Sequence, residues 1–520
     1  MPSQSEEKVT LRTWIAVLGS MLGAFMAVLD IQITNASLRE ITGGISSTSV
    51  EASWISTSYL IGEIITIPLT AWLSRVFGLR WYLLANVTLF LVFSGLCGTA
   101  GELTQMVIYR ALQGFTGGVM IPISFTVANT MLPPSKRPLG LALFGITATL
   151  GPAVGPYIGG LLTDSFGWQM VFYINFLPGA VMLAAIAYAI EAQPPNFKLL
   201  EQGDWFGIAC MAIGLGSLIA FLEEGQNQDW FTSTFIQHCF ELAIVCIPLF
   251  LIIEMLVKHP VVNLRLLKER NLSLACVVNF ILGAGLYGSV FLLPQYLEQV
   301  QQYSARQTGE YMVLIGLPQL LIFPFVPRLM KTVDLRLIVF FGAAIFGGSC
   351  FLNTHMSPVF GGPQFQLANV IRAFGQPFTI VPLSAIATAG LMREQQGDGS
   401  ALFNIARNLG GSVGTALLNT MITQREQFHD FRIGERVTIY SLQVQRFLNA
   451  QLAQFDRQGG DPVLAMKRAY KALQSAVQLS SFVMAFSECF LVVGSVLLAG
   501  SLIIWFCRKP KPAGGAPAGH

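Results

Sequence analysis

Asp30 interrupts an otherwise apolar run in AVLDIQITN, with Asn35 five residues on, and Glu63 stands near the middle of a second run, SYLIGEIITIPLTAWL. A charge at the centre of a membrane helix costs about 2.5 to 3.5 kcal/mol, so an acid kept there is a candidate functional group by default. Withdrawal from water penalises the charged form of any carboxyl, and the chemistry such a placement offers is proton uptake and release near neutral pH. Plainer roles stand beside it: Asp30 can reach water at the outer end of its run or cap a break near Asn35, and Glu63 can be neutral and internally hydrogen-bonded. Pro68 leaves the carbonyl of Ile64 without its helical donor, which predicts a bend beside Glu63. Arg110 and Gln113 share one helical face, and Gly114, Gly117 and Gly118 let another backbone approach it. A guanidinium in that position keeps its proton and needs an acid, carbonyls or water. Arg110 either pairs with Asp30 and biases its proton release or is a fixed tether. In the second half of the chain, Asn404, Arg407 and Asn408 make a further polar face placed to touch a substrate or line an inner gate, and Arg372 reads as less buried than Arg110.

Those residues need membrane-spanning helices to position them. The chain is 53% hydrophobic and 11% charged, too little polar surface for a water-soluble globule. About 14 apolar runs of the roughly 20 residues that cross a bilayer lie between Trp14 and Phe506, and the first does not read as a cleavable signal. Lys and Arg, among them Lys8, Arg75, Arg80, Lys136, Lys258 and Lys511, fall between runs on one side, whereas the short loops on the other side hold Arg39 and Arg306; this predicts cytoplasmic termini. The exception is the basic segment between the last two runs. There, Val444, Phe447, Leu448, Leu452 and Phe455 recur at helical spacing, Gly459–Gly460 turns the chain, and Asp461–Pro462 starts a second helix carrying Leu464, Tyr470, Leu473 and Val477. This outer hairpin either packs on its own protein or docks a partner. GLALFGITATLGPAVG from Gly140 aligns without a gap on GSALFNIARNLGGSVG from Gly399, which predicts two related helical bundles with binding between them. In GPAVGPYIGG, the stripe Gly151, Gly155 and Gly159 permits close helix contact, and Pro152 and Pro156 weaken the local hydrogen-bond ladder. The eight cysteines read as packing residues, and no nucleophile–base pair, phosphate loop or metal-ligand spacing points to an enzyme, a metal site or a cofactor. The net charge of +3 is accounted for by cytoplasmic loops and gives no sign of nucleic acid as a partner.

Taken together and in this order, LDIQITN, RALQGFTGG from Arg110, GPAVGPYIGG and the insert GDWFGIACMAIGLGSLIAFLEEGQNQDW resemble the proton-driven drug antiporters of the major facilitator superfamily, in the branch with 14 spans. The resemblance covers nearly the whole chain. It implies that Asp30 is a proton site, that Arg110 belongs to a motif implicated in proton transfer, and that the glycine–proline run is the antiporter motif of the fifth helix. Within the branch the chain most resembles the Emr-type inner-membrane subunit, including TQREQFHDF and the following hairpin; that implies a periplasmic adaptor and an outer-membrane channel as partners. A fatty-acid-exporting relative with an acid at the Glu63 position is similar too. One motif departs: in AWLSRVFGLR, Ala71 stands for the usual glycine and Arg75 for the usual acid, which removes the usual charge latch and leaves Arg75 a role in cytoplasmic anchoring.

The fold expected is an all-α polytopic membrane protein: six helices in residues 1–200, a two-helix insert in 201–260, five helices in 261–423, a periplasmic hairpin in 424–477, and the last span and tail in 478–520. The function expected is proton-gradient-driven export of amphipathic molecules from a bacterial inner membrane. Asp30, Glu63 and Arg110 would serve proton coupling, the two acids as the carriers; Asn35, Gln113, Asn404, Arg407 and Asn408 would contact substrate; and Gly151, Pro152, Gly155, Pro156 and Gly159 would serve gating and packing. Export of a dedicated fatty acid or siderophore, or a sensor or scaffold without flux, are the alternatives.

Overall fold

The computed structural model describes residues 9–257, 260–438, 440–456 and 462–509. Hydrocarbon offers no water to peptide groups, so each apolar run closes its own hydrogen bonds as a helix. The spans are α1 Leu11–Ala36, α2 Val50–Phe77, α3 Leu79–Gly98, α4 Leu103–Met131, α5 Arg137–Phe166, α6 Met170–Ala189, α7 Trp205–Glu224, α8 Thr234–Leu256, α9 Arg270–Gln299, α10 Ala305–Leu329, the shorter α11 Leu335–Phe351, and α12 Gly362–Thr388. They continue with α13 Gln396–Gly434, the extramembranous α14 Leu442–Asp456, and α15 Pro462–Ile503. Among the described residues, twelve helices are long and apolar enough to cross a membrane by length and composition; α11, which is short, and α13, which is polar along part of its length, complete fourteen. Local sequence sets the starts: Thr48 and Glu51 form a reciprocal capping box ahead of α2, Ser304 and Gln307 another ahead of α10, and Asp204 accepts from the Gly207 N–H at 2.9 Å.

Helices α1–α6 form one bundle, and α9–α13 with α15 the other; α5 packs on α10 and α2 faces α13 between them. The two repeated segments lie in α5 and α13, the fifth helix of each bundle. The insert pairs α7 with α8, and α7 also packs on both α2 and α13. The two described ends of the chain lie on one face: Arg12 pairs with Glu191 at 3.0 Å, the Asn196 N–H donates to the Val76 carbonyl at 2.7 Å, and Asn271 at the start of α9 donates to the Arg508 carbonyl at 3.1 Å. The same terminal face holds an ion pair between Arg75 and Asp398, 3.5 Å apart at the ends of α2 and α13. Arg75 is therefore more than an anchor: it ties one bundle to the other.

The helices are continuous through Pro68, Pro152 and Pro156, and the interruptions fall near Gly118 in α4 and at Asn175 in α6. Arg372 is fully buried, not more exposed than Arg110. Residues 424 and 477, expected as boundaries of the hairpin, fall within the continuous helices α13 and α15. Val444 and Leu448 pack against Ala469, with Leu452 and Leu473 alongside, whereas Leu464 and Tyr470 point outward. Arg425 and His429 of α13 bind Glu488 of α15 and tie down the base of this hairpin. The turn at Gly459–Gly460 and its cap Asp461, like Lys8, Lys258 and Lys511, lie outside the described residues.

Candidate functional site

Two polar centres occupy the first bundle. Asp30, in the buried face of α1, accepts from Arg110 Nη1 at 2.5 Å, Gln113 Nε2 at 3.0 Å and Asn175 Nδ2 at 2.6 Å. Arg110 also donates to Gln113 Oε1 at 2.8 Å and through Nε to the Ile55 carbonyl at 3.2 Å, and its guanidinium lies 4.3 Å from the Tyr59 ring centroid. Asn175 reaches Ser94 Oγ at 3.0 Å, and Ser94 donates to the Phe172 carbonyl at 2.8 Å. Acid, cation and amides thus bind one another away from water, with Arg110 Nη2 left without a hydrogen-bond partner, and these contacts offset part of the desolvation cost of the buried ion pair. Arg110 thus pairs with Asp30 and also holds the Ile55 carbonyl, contacts that belong to both of the roles open to it.

Glycines make this knot possible. A Cβ on Gly114 would lie 2.1 Å from the Tyr59 carbonyl oxygen, and one on Gly118 would lie 2.9 Å from that of Glu63, so α4 touches α2 backbone to backbone. On the other side of α1, Cβ atoms on Gly151 and Gly155 would meet Val28 at 2.8 Å and Gln32 at 2.4 Å, and one on Gly159 would meet the Ile33 carbonyl at 3.0 Å. The α5 stripe is the surface against which the Asp30 helix is set; Pro152 is buried in that helix, and Pro156 reaches the cavity described next.

Glu63 belongs to a different place. It is 3% exposed and lines a cavity of about 520 Å³ between the bundles, where the Asn408 amide of α13 donates to its carboxyl at 3.2 Å. Among the described residues no ion pair forms with Glu63; Arg407 is the cation that acts on it through space. The cavity occupies the half nearer the hairpin face: its walls include Gln32, Asn35, Tyr287, Phe291, Ser412 and Asn419, and its rim reaches exposed Glu298. Asn35 accepts from Ser56 Oγ at 2.5 Å on that wall. The half nearer the termini is closed by Phe125 against Phe144 and Phe403, with ring centroids 5.2 and 5.9 Å apart, and by Ser400 Oγ donating to the Pro122 carbonyl at 3.2 Å.

The sequence profile of the Major Facilitator Superfamily matches residues 20–415. The chain belongs to the Major Facilitator Superfamily. It is 31% identical over 510 residues to the colistin resistance protein EmrB of Acinetobacter baumannii, covering 98% of this chain and 99% of that one. It is 28% identical over 511 residues to the multidrug export protein EmrB of Escherichia coli K12, covering 97% of each chain, and 28% identical over 514 residues to the fatty acid resistance protein FarB of Neisseria gonorrhoeae, covering 98% of each. The solved proton:xylose symporter XylE, 14% identical, has the same fold with a TM-score of 0.61 over 97% of this chain and 98% of that one. Membership of the Major Facilitator Superfamily makes this multi-pass membrane protein a transporter and not an enzyme.

Against that superfamily fold, the expected residues divide. Asn35, Glu63 and Asn408 meet at the cavity. Asp30, Arg110 and Gln113 come together apart from it, so Gln113 holds the acid and does not line the cavity. Asn404 donates to the Ser400 carbonyl at 2.9 Å, and the Arg407 guanidinium lies 5.7 Å from the Phe144 ring, which places both at the closed half. Reasoning from sequence missed Asn175, Tyr59 and the acids Glu223 and Glu224 of α7. The signal for Asn175 was an amide inside the sixth apolar run; that for the acids was a carboxylate pair at the end of a helix taken for a linker.

Proposed function

We propose that this protein is a proton-driven exporter of amphipathic small molecules, working by alternating access in a bacterial inner membrane with both termini in the cytoplasm. The observation that carries this is the contact between Glu63 of one bundle and Asn408 of the other at a cavity between them. Adding a proton to Glu63 changes a bond across the moving interface, so the proton distinguishes the two access states and can bias them. With the termini inside, the cavity faces outward and the phenylalanine seal and the Arg75–Asp398 pair close the cytoplasmic side. Likeness over the full length to proteins named for multidrug export supports the substrate breadth, and the apolar surface that the hairpin leaves exposed at Leu464 and Tyr470 supports a periplasmic adaptor and outer-membrane channel as partners.

The test is export into an inward pH gradient by the full chain in vesicles, with lumenal pH and substrate followed together. Glu63→Gln should abolish uphill movement and substrate-linked proton flux while substrate binding stays measurable. Uphill export by that variant at the wild-type rate would dismiss Glu63 as the coupling site.

A further inference from the structure

We propose that the cavity is a site for amphipathic cations and that Glu223, on the inserted helix α7, is the residue that selects for positive charge. The inference rests on the exporter proposal and names the substrate class of that same site.

The charge in the cavity is one-sided. Its described lining includes three carboxyl groups at three depths, Glu63 at the base, half-buried Glu223 on the wall and exposed Glu298 at the rim, and it includes neither Lys nor Arg. A cleft of one sign with apolar walls focuses its field on whatever enters. An anionic amphiphile such as a fatty acid would meet carboxyl groups at every depth, whereas a cation supplies the counter-charge that Glu223, which has no basic side chain beside it among the cavity's described lining, lacks. At about 520 Å³ the space suits a drug-sized organic molecule. Tyr287 and Phe291, four residues apart on α9, put aromatic rings on the same wall, which suits the apolar body of such a ligand and its charge alike.

The neighbouring acid fixes Glu223 in place. Glu224 is fully buried and accepts from Ser53 Oγ at 2.7 Å, Thr57 Oγ1 at 2.5 Å and Asn227 Nδ2 at 3.3 Å. Those bonds bolt the end of α7 to α2. The next side chain round the helix, Glu223, is thereby turned into the cavity beside Ser412 of α13. The insert is thus a wall of the binding space, and its acid pair divides the work: Glu224 holds the helix, and Glu223 faces the ligand.

Tetraphenylphosphonium and tetraphenylborate, nearly identical in shape and opposite in charge, separate charge from size. With the full chain in nanodiscs, saturable binding of the cation should be at least about tenfold tighter than that of the anion, and Glu223→Gln should weaken the cation by about tenfold. An uncharged amphiphile of similar size should bind the variant as it binds the wild type, which reports an intact cavity. Equal or tighter binding of tetraphenylborate, or unchanged cation affinity in Glu223→Gln, would overturn the proposal. Uphill export of an anionic amphiphile would sink it and leave the exporter standing; cation-selective binding with no uphill export would do the reverse.

Discussion

Replacing Asp30 by Asn keeps the size of the side chain and removes its charge. Arg110 then retains the Gln113 oxygen at 2.8 Å, the Ile55 carbonyl at 3.2 Å and the Tyr59 ring at 4.3 Å, but no anion. The new amide also brings an N–H₂ group into a ring of donors, Arg110, Gln113 and Asn175, so at least one of them loses its acceptor. Taking one member from a buried pair costs about 3 to 5 kcal/mol, whereas removing both is often close to neutral. The expected result is that Asp30→Asn lowers stability by about 3 to 5 kcal/mol and loses uphill export, and that adding Arg110→Leu recovers most of the stability. Unfolding of the purified chain by SDS in mixed micelles measures the first, and vesicle export the second. A single variant as stable as wild type, or a double variant less stable than either single one, would show that the pair does not hold the bundle as the geometry implies.

The Arg75–Asp398 pair has one half-exposed member and one buried one, so a double-mutant cycle should give a coupling of about 0.5 to 1 kcal/mol. Arg75→Asp should raise the alkylation rate of a cysteine introduced at Ser74, and the exchanged pair Arg75→Asp/Asp398→Arg should lower it again. Gly114→Ala forces a methyl to within 2.1 Å of a backbone oxygen and should cost about 1 to 3 kcal/mol in the same unfolding assay, whereas Gly43→Ala, with nothing within 4 Å, should cost nothing measurable.

Much of the architecture was legible because lipid permits so few solutions. Apolar length gave the helices, the duplicated glycine-rich segments gave the two bundles, and Asp30 and Arg110 stood out because charge in an apolar run needs a reason. Which acid faced the cavity between the bundles was not legible. Asp30 and Glu63 look alike as acids in apolar runs, yet the rotation of α1 turns one toward Arg110 and that of α2 turns the other toward α13. Asn175 was hidden for a related reason: a neutral amide costs less than a charge to bury, so it raises less suspicion than Arg110. Glu223 and Glu224 were hidden by topology, since nothing in the composition of an inserted pair says that one member wedges between α2 and α13.

The 42 residues of α15 form one unbroken rod from the hairpin to the terminal face, about 63 Å at 1.5 Å per residue. With about 20 residues inside the bilayer, roughly 30 Å of it stands clear, and a tilt of about 10° would sweep its tip by about 5 Å. Under the alternating access proposed above, the hairpin is a lever arm, and anything resting on it is pushed and released with every swing of the second bundle.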